Sequence, residues 1–218
     1  MNEKDLLEQM SEANETKITP KQAKIIQAAI ETFSEKGYAA TSTKEIAEKA
    51  GVAEGTIFRH YKTKKDLLLS IVSPIIINFA LPFFLEKFVK DVFSNENSHD
   101  RFDELLQKLI YNRFEFIKDN VPLIKIFLQE IAFHKEIENK IKQIYTKKIY
   151  PRFKEVVIQY KDEGEIGNYP VDTVIRLVMT TIIGFLITRF LVLPNHDWDD
   201  EKEIHYTIQF IRHGLKNI

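Results

Sequence analysis

The stretch from residue 41 to residue 67 constrains the fold of this chain more than any other. It reads TSTKEIAEKAGVAEGTIFRHYKTKKDL. Ser42 and Glu45 have the spacing of a capping box, in which two side chains satisfy free backbone N–H groups at the start of a helix. Gly51 supplies a left-handed turn without steric cost, which ends that helix. A second short helix is predicted from about Glu54 to Tyr61. The stretch therefore has the form of a helix-turn-helix, whose second helix lies in the DNA major groove.

The residues around this motif extend the pattern. From Gly37 the sequence follows G-Y-x-x-T-S-T-x-x-I-A-x-x-A-G-V-x-x-G-T-I-F-x-H-Y-K-T-K-x-D-L. This run closely resembles the DNA-binding domain of the tetracycline-repressor (TetR) family, and the resemblance covers roughly Ile18 to Val72. It implies an all-α fold, with an N-terminal three-helix DNA-binding domain that holds the helix-turn-helix. A C-terminal helical bundle that binds a ligand and forms a dimer is expected to follow.

The predicted second helix of the motif supplies the residues expected to read DNA. The positions that contact DNA in relatives of the TetR family are occupied here by Glu54, Gly55, Thr56, Phe58, Arg59 and His60. A carboxylate can accept from a cytosine amino group, and a threonine can pair with a base or touch a thymine methyl group. Glu54 and Arg59 depart from the residues common in the family, and Ala53 replaces a common Ser cap. The operator sequence is therefore left open.

A second set of residues is expected to hold DNA phosphates. Ser42 and Thr43 open the first helix of the motif, and the backbone N–H groups at a helix start suit an anion. Lys44, Lys62 and Lys64 flank the reading helix, and Lys64 matches the phosphate-binding lysine of the TetR family. For Lys44 and Lys62, ordinary solvation is an equally good interpretation.

The net charge of −1 hides an uneven distribution along the chain. Residues 1–16 carry one Lys against five Asp or Glu, whereas residues 17–70 carry ten Lys or Arg against six Asp or Glu. The positive segment is the one that holds the helix-turn-helix, as attraction to phosphates requires. The acidic leader is not expected to contact the minor groove.

Other kinds of site find little support in the composition. The chain has no Cys, which excludes disulfides and thiolate metal sites and fits a reducing cytoplasm. Its six His form no H-x-x-x-H pair, and no phosphate-cradling glycine loop or nucleophile elbow is present. We therefore expect no metal, no cofactor and no catalytic site. No signal peptide is visible, so a cytoplasmic location is expected.

Helical periodicity continues to the end of the chain and no strand pattern appears. The prediction is about ten helices in two domains, preceded by a flexible leader at residues 1–16. The DNA-binding domain is placed at residues 17–66 and the effector-binding and dimerisation domain at residues 67–218. A long helix is predicted over about 135–163, where Pro151 should cause a kink. Another is predicted over about 170–193.

One run, Leu67 to Leu85, has nineteen uncharged residues, nearly the length that spans a bilayer. Pro74 and Pro82 interrupt it and no basic cluster follows it, so two core helices that meet near Pro82 are the preferred interpretation. The twelve uncharged residues between Arg176 and Arg189 are too few for a membrane span.

An effector cavity in the C-terminal bundle is expected from the family resemblance and the phenylalanine content. Its wall would come from some of Phe79, Phe83, Phe84, Phe88, Phe114, Phe127 and Phe133. The side chains expected to orient a polar head group are Arg113, His134 and Arg176. For any single Phe, a place in an ordinary core is the commoner alternative. The expected ligand is bulky and apolar, such as a fatty-acyl chain, a lipid or a drug.

Dimerisation follows from the geometry of DNA, because one short helix reads few bases. The two long predicted helices are the candidate interface, as is usual in the TetR family. The residues placed there are Ile144, Phe153, Thr180, Gly184 and Thr188. The last three lie four residues apart and form a stripe of small side chains that lets another backbone approach. The alternative is that this stripe packs within one subunit.

The function predicted from these features is a homodimeric, DNA-binding transcriptional regulator. We expect a repressor that leaves a pseudo-palindromic operator when a small hydrophobic effector binds. One alternative is a soluble helical protein that binds lipids or other hydrophobic molecules and has no DNA function. A third reading, an all-helical enzyme, lacks a recognisable catalytic pair.

Overall fold

The computed structural model describes residues 18–80 and 101–216. Within these ranges the regular secondary structure is helical and contains no strand, which confirms the predicted all-α class. The α-helices, in chain order, are α1 Pro20–Lys36, α2 Thr43–Ala50, α3 Glu54–His60, α4 Lys64–Ala80, α5 Phe102–Asp119, α6 Val121–Glu130, α7 Lys135–Ile144, α8 Tyr150–Asp162, α9 Val171–Ile187 and α10 Asp200–Leu215.

The chain forms two compact units. The first combines the described residues up to Asn78 with the segment Asp119–Lys142, and the second combines those from Phe79 to Lys118 with those from Gln143 onward. The first unit is thus larger than the predicted DNA-binding domain, because a later segment of the chain joins it. The functional boundary expected between residues 66 and 67 stays a prediction, and the acidic leader lies outside the described residues.

Helix α1 begins and ends at the residues that local chemistry favours. The Thr19 hydroxyl accepts from the backbone N–H of Gln22 at 3.3 Å, and the Gln22 side chain accepts from the backbone N–H of Thr19 at 3.0 Å. Pro20 takes the first helical position, where its missing N–H is no loss. Gly37 ends the helix with φ of 82°, and its N–H donates to Phe33.

The long helix predicted near Pro151 is interrupted where the proline requires it. One π-helical turn, Tyr145–Ile149, separates α7 from α8, and the N–H of Tyr150 donates to the carbonyl of Tyr145. Proline cannot donate to the carbonyl four residues before it, and an extra residue in the preceding turn accommodates that loss. A second π-helical turn, Thr188–Val192, follows α9.

Side-chain contacts fix α10 within the second unit. Arg189 donates to both carboxylate oxygens of Asp200, the first residue of α10, at 2.5 and 3.1 Å. Two parallel bonds of this kind hold a guanidinium in one orientation. Arg212 near the other end of α10 lies 3.1 Å from the carboxylate of Asp103 on α5.

Two runs were weighed as membrane spans from the sequence. Helix α4 continues through Pro74 to Ala80, and the junction predicted near Pro82 lies outside the described residues. Among the described residues, Val171–Val192 has the length and apolar composition of a membrane span, with a third of its most apolar window buried. Its buried side chains are Val174, Ile175, Val178, Ile182, Leu186 and Phe190. The expected absence of a membrane segment stays a prediction.

Candidate DNA-binding interface

The start of α2 has the geometry expected of an anion site. The Ser42 hydroxyl accepts from the backbone N–H of Glu45 at 3.1 Å, while Ser42 itself is exposed. The carboxylate of Glu45 pairs with Lys36, and this hydrogen-bonded ammonium lowers the pKa of Glu45. The side-chain cap leaves other N–H groups of the first turn facing outward, where an anion is favoured.

The turn between α2 and α3 is the predicted glycine turn. Gly51 has φ of 66° and ψ of 37°, in the left-handed region, and its N–H donates to the carbonyls of Ala47 and Glu48. The N–H of Val52 also donates to Ala47, at 3.0 Å. These bonds satisfy the last carbonyls of α2 and set the direction in which α3 leaves the turn.

Helix α3 has one buried side and one exposed side. Ile57 is fully buried, whereas Glu54, Gly55, Phe58 and Arg59 are exposed. The exposed residues share a face, because positions four apart on a helix lie one above the other. A Cβ added at Gly55 would meet nothing within 4 Å, so packing inside the chain does not require glycine there. This face is the part of α3 that an external partner can approach.

Two residues predicted to contact DNA contact each other. The Thr43 hydroxyl donates to the carboxylate of Glu54 at 2.6 Å, which links the first residue of α2 to the first residue of α3. Ala53, the residue before α3, makes no side-chain cap. The carboxylate of Glu54 is therefore held at the start of the reading helix, where the helix dipole favours a negative charge.

An open cleft lies between the start of α2 and the start of α4. It is lined by Thr41, Ser42, Thr43, Phe58, Lys62, Thr63 and Lys64. Lys64 donates to the carbonyls of Tyr38 and Thr41, both at 2.7 Å, and its ammonium lies 4.3 Å from the centre of the Tyr38 ring. Two of its three N–H groups thus support the chain before α2. Its role at a phosphate stays a prediction.

Positive charge is concentrated on this side of the first unit. Lys36 pairs with Glu45, and Lys49 lies 3.0 Å from the carboxylate of Glu31, so these two charges are balanced. Three exposed cations near the cleft and α3 make no ion pair with a described residue. They are Lys44, Arg59 and Lys62. Such charges attract phosphates with little competition from the protein.

His60 and Thr56 are less accessible than the rest of the predicted set. Nε2 of His60 is buried, and nothing in the described chain forms a hydrogen bond with it. A buried atom is poorly placed to donate to a base or phosphate. Thr56 is half-buried, and contacts by both residues stay predictions.

Sequence reasoning missed two residues that shape this interface. Tyr38 holds Lys64 through its ring and its carbonyl, and Thr41 donates its hydroxyl hydrogen to the carbonyl of Gly37 at 2.8 Å. Both belong to the matched run between Gly37 and Ser42, but neither lies on a predicted helix. In the sequence, only their position within the matched run could have indicated that they shape the interface.

The residues predicted to line an effector cavity do not form one set. Arg113, Phe114 and Arg176 belong to the second unit, whereas Phe127, Phe133 and His134 belong to the first. Phe114 packs among aromatic rings, with its centre 4.9 Å from Phe190, and Arg176 is exposed. The side chain of Phe79 and the residues Phe83, Phe84 and Phe88 lie outside the part of the chain that is described.

Two small adjoining apolar cavities lie among the described residues of the second unit. Their volumes are about 50 and about 30 Å³, and both are lined by Leu109, Phe153 and Val178. Phe153, which is predicted at the dimer interface, is half-buried and lines both cavities, and its place in an interface stays a prediction. Arg113 lines the smaller cavity, and burial lowers its pKa to about 10, so it stays charged at neutral pH. Both cavities are below the roughly 300 Å³ typical of ligand sites.

The remaining dimer candidates differ in their exposure. Thr180 and Gly184 are exposed, Thr188 and Ile144 are half-buried, and Thr180 and Thr188 each donate to a carbonyl of their own helix at 2.8 Å. The hydroxyls therefore need no partner from outside. Helix α10 packs beside α9 and exposes two large rings, Tyr206 at 59% and Phe210 at 70%.

Comparison with known proteins identifies the family. Residues 25–71 match the family described as bacterial regulatory proteins, tetR family. The chain is 30% identical over 177 residues to the uncharacterized HTH-type transcriptional regulator YvkB of Bacillus subtilis, covering 78% of this chain and 83% of YvkB. It is 27% identical to IcaR of Staphylococcus epidermidis, a negative regulator of the biofilm operon icaADBC. The match covers 66% of this chain and 71% of IcaR.

Solved structures agree on the fold. PfmR, a TetR family transcriptional regulator from Thermus thermophilus, superposes with a TM-score of 0.69 at 19% identity, covering 88% of this chain and 99% of PfmR. FadR from Bacillus subtilis, solved in complex with stearoyl-CoA, gives a TM-score of 0.61 at 24% identity. The match covers 88% of this chain and 98% of FadR. The motif, the helical fold and the likeness to YvkB along most of both chains lead to one conclusion: this chain belongs to the TetR family of bacterial transcriptional regulators.

Proposed function

We propose that this regulator is a homodimeric repressor that binds a pseudo-palindromic operator and leaves it when a hydrophobic effector binds. The observation that carries the proposal is the exposed face of α3 beside the cleft. It combines groups that can read bases, Glu54 and Arg59, with the cations Lys44 and Lys62, which pair with no described residue. Base contacts give specificity and phosphate contacts give position.

The dimer is supported by the outer face of α9 and α10. Its small residues at Thr180 and Gly184 permit close approach, and the exposed rings of Tyr206 and Phe210 supply apolar area. A two-fold interface is self-complementary, so the same patch serves both partners. We place the interface on α9 with α10, whereas the sequence predicts the helices over about 135–163 and 170–193, because α10 exposes two large rings. Two reading helices would then meet half-sites about 10 base pairs apart.

The effector is proposed to enter the second unit at its apolar cavities. Since they hold about 50 and about 30 Å³, an acyl-sized ligand must open them and separate the helices that line them. A ligand that binds only the opened form shifts the protein toward that form, and DNA and ligand must then weaken each other equally. FadR, which was solved with stearoyl-CoA, and IcaR, named a negative regulator, make an acyl effector and repression reasonable first tests.

A three-part experiment tests the proposal. Duplexes are selected from a random library by the wild-type protein, and the affinity for a selected duplex is measured by fluorescence anisotropy with and without stearoyl-CoA. Arg59→Ala should weaken this affinity, whereas Lys154→Ala, which changes an exposed residue of the second unit, should not. Analytical ultracentrifugation should find a dimer. A monomer that selects no sequence would contradict the proposal, as would a carrier that binds lipid but no DNA.

Cellular assays address the remaining parts of the proposal. A reporter gene placed behind the selected duplex should be expressed less when the protein is present, since a repressor occupies its operator. An increase would reverse the proposed sign of regulation. Fractionation of the same cells should recover the protein in the cytoplasm, while recovery with membranes would contradict the proposed location.

A further inference from the structure

His134 lies in the first unit, although the sequence suggested a place at an effector head group. The segment Asp119–Lys142 belongs with the DNA-binding helices, and α6 of that segment packs against α1. In sequence this segment is inserted between two parts of the second unit, since residues before Asp119 and after Lys142 belong to that unit. The segment is thus joined covalently to the second unit at both ends.

The ring of Tyr38 is held from several sides. The His134 ring meets it edge-on at a centroid distance of 5.2 Å, and the Phe33 ring lies 5.5 Å away. The Lys64 ammonium lies 4.3 Å from the Tyr38 ring centre and also binds the carbonyls of Tyr38 and Thr41. The chain from Tyr38 to Thr41 is therefore fixed just before Ser42, the capping residue of α2.

His134 is itself held by a second contact. Its Nε2 lies 3.1 Å from the carboxylate of Glu130, one helical turn earlier, and the two side chains are only 10% and 9% exposed. A buried hydrogen bond of this kind restrains the orientation of the ring. A second contact joins the same segments, because Lys65 of α4 pairs with Glu136 of α7 at 2.5 Å.

We propose that Tyr38 and His134 are positioning residues for DNA binding. Glu130 orients His134, His134 supports Tyr38, and Tyr38 with Lys64 sets the start of α2, where Ser42 and Thr43 face the cleft. A shift of α6 or α7 would release Tyr38 and misplace the start of α2 relative to α3. This inference rests on the proposed contact of Ser42 and Thr43 with phosphate.

Substitutions separate this role from ordinary core packing. Tyr38→Phe keeps the ring, whereas Tyr38→Leu removes it and His134→Ala removes the supporting edge. Asn139→Ala, an exposed change on α7, is the control. The readouts are affinity for a duplex selected by the wild-type protein, affinity for a scrambled duplex, and hydrogen exchange of the amides from Tyr38 to Glu45.

The expected pattern is specific. Tyr38→Leu and His134→Ala should each weaken binding to the selected duplex about tenfold, and the double variant should be no weaker than either, because both remove one shared contact. Binding to the scrambled duplex should weaken less, because a misplaced start of α2 affects phosphate contacts on both duplexes but base contacts only on the selected one. Exchange should rise between Tyr38 and Glu45, while Tyr38→Phe and Asn139→Ala should behave as the wild type.

Other results overturn the inference. Losses that add in the double variant would show that the two residues act separately, and weaker binding without faster exchange between Tyr38 and Glu45 would show that the start of α2 is not the part affected. Unchanged affinity and exchange in His134→Ala would remove its role entirely. If the wild-type protein selects no duplex, the proposed function fails instead, and hydrogen exchange alone then decides whether His134 orders the start of α2.

Discussion

The hydroxyl of Thr43 donates to the carboxylate of Glu54 across 2.6 Å, which joins the first residues of the two helices of the helix-turn-helix. This bond places a negative charge at the tip of the reading helix, on a surface that otherwise carries Lys44 and Arg59. A carboxylate there repels phosphates in general but can accept a hydrogen bond from a cytosine amino group. Glu54 is therefore suited to specificity more than to affinity.

Replacement of Glu54 by Gln should separate these two effects. Binding to a scrambled duplex should strengthen a few-fold, because one repulsive charge is removed at similar side-chain volume. Binding to the duplex selected by the wild-type protein should weaken about tenfold if Glu54 accepts from cytosine, in line with about 1–3 kcal/mol per base contact. Anisotropy titrations on both duplexes measure the change. Equal strengthening on both would show that Glu54 reads no base.

The balance of charges around the cleft gives a second prediction. Lys62→Ala should weaken binding to all duplexes alike and reduce the slope of log affinity against log salt by about 0.9, the value for one lost phosphate contact. Lys49→Ala is the matched control, because Lys49 already lies 3.0 Å from Glu31. Titrations at several salt concentrations give the slopes. A slope that falls equally in both variants would contradict the proposal that Lys62, and not Lys49, contacts a phosphate.

Two glycines of the motif should respond in opposite ways to alanine. Gly51 has φ of 66°, so Gly51→Ala should lower the free energy of unfolding by about 1–2 kcal/mol, the cost of a left-handed residue with a Cβ. Gly55 lies in α3 with open space around it, so Gly55→Ala should raise stability by up to about 1 kcal/mol through helix propensity.

The operator affinity of Gly55→Ala should change in the direction opposite to its stability. A methyl group on the exposed face of α3 keeps the helix from approaching the groove, so operator affinity should fall although stability rises. Urea unfolding and anisotropy together test this pair of outcomes. A Gly55→Ala protein that binds the selected duplex as tightly as the wild type would show that α3 does not approach DNA closely at this position.

Helix starts and stops were predictable because their causes are local. Thr19, Ser42 and Gly51 act on backbone groups within a few residues, so the sequence alone identified their roles. The contacts of Lys64 and His134 were not predictable in the same way. Lys64 reaches carbonyls 23 and 26 residues away, and His134 meets a ring from a different part of the chain. Such contacts depend on how helices pack, which periodicity does not specify.

The surroundings of Phe153 were not predictable for a related reason. A helical pattern shows which residues share a face but not which neighbour covers that face. Phe153 lies half-buried beside Leu109 and Val178 in the second unit, and α10 exposes two aromatic rings. The exposed Tyr206 and Phe210 of α10 could not be distinguished from core residues by helical periodicity alone.

The outer face of α9 and α10 gives a prediction about assembly. Phe210→Asp should convert the dimer to a monomer, because the ring is 70% exposed in the single chain and a charge at the centre of an apolar interface is unfavourable. The monomer should stay folded and lose most of its operator affinity. Phe133→Asp is the control, since Phe133 is 81% exposed on the first unit. Sedimentation of both variants decides, and a dimeric Phe210→Asp protein would place the interface elsewhere.

The two cavities of the second unit lead to a test of the effector site. Val178 lines both, and Val178→Leu adds one methylene to a space of about 50 and about 30 Å³. The added group should stabilise the protein by at most about 0.8 kcal/mol, the value of one buried methylene. It should also oppose the opening that an acyl chain requires, so the affinity for stearoyl-CoA should fall while operator affinity without ligand stays the same.

Isothermal titration and anisotropy measure the affinities of Val178→Leu for stearoyl-CoA and for the operator. Leu177→Val, an exposed change one residue earlier, is the control, and equal ligand affinity in both variants would mean that the effector binds outside these cavities.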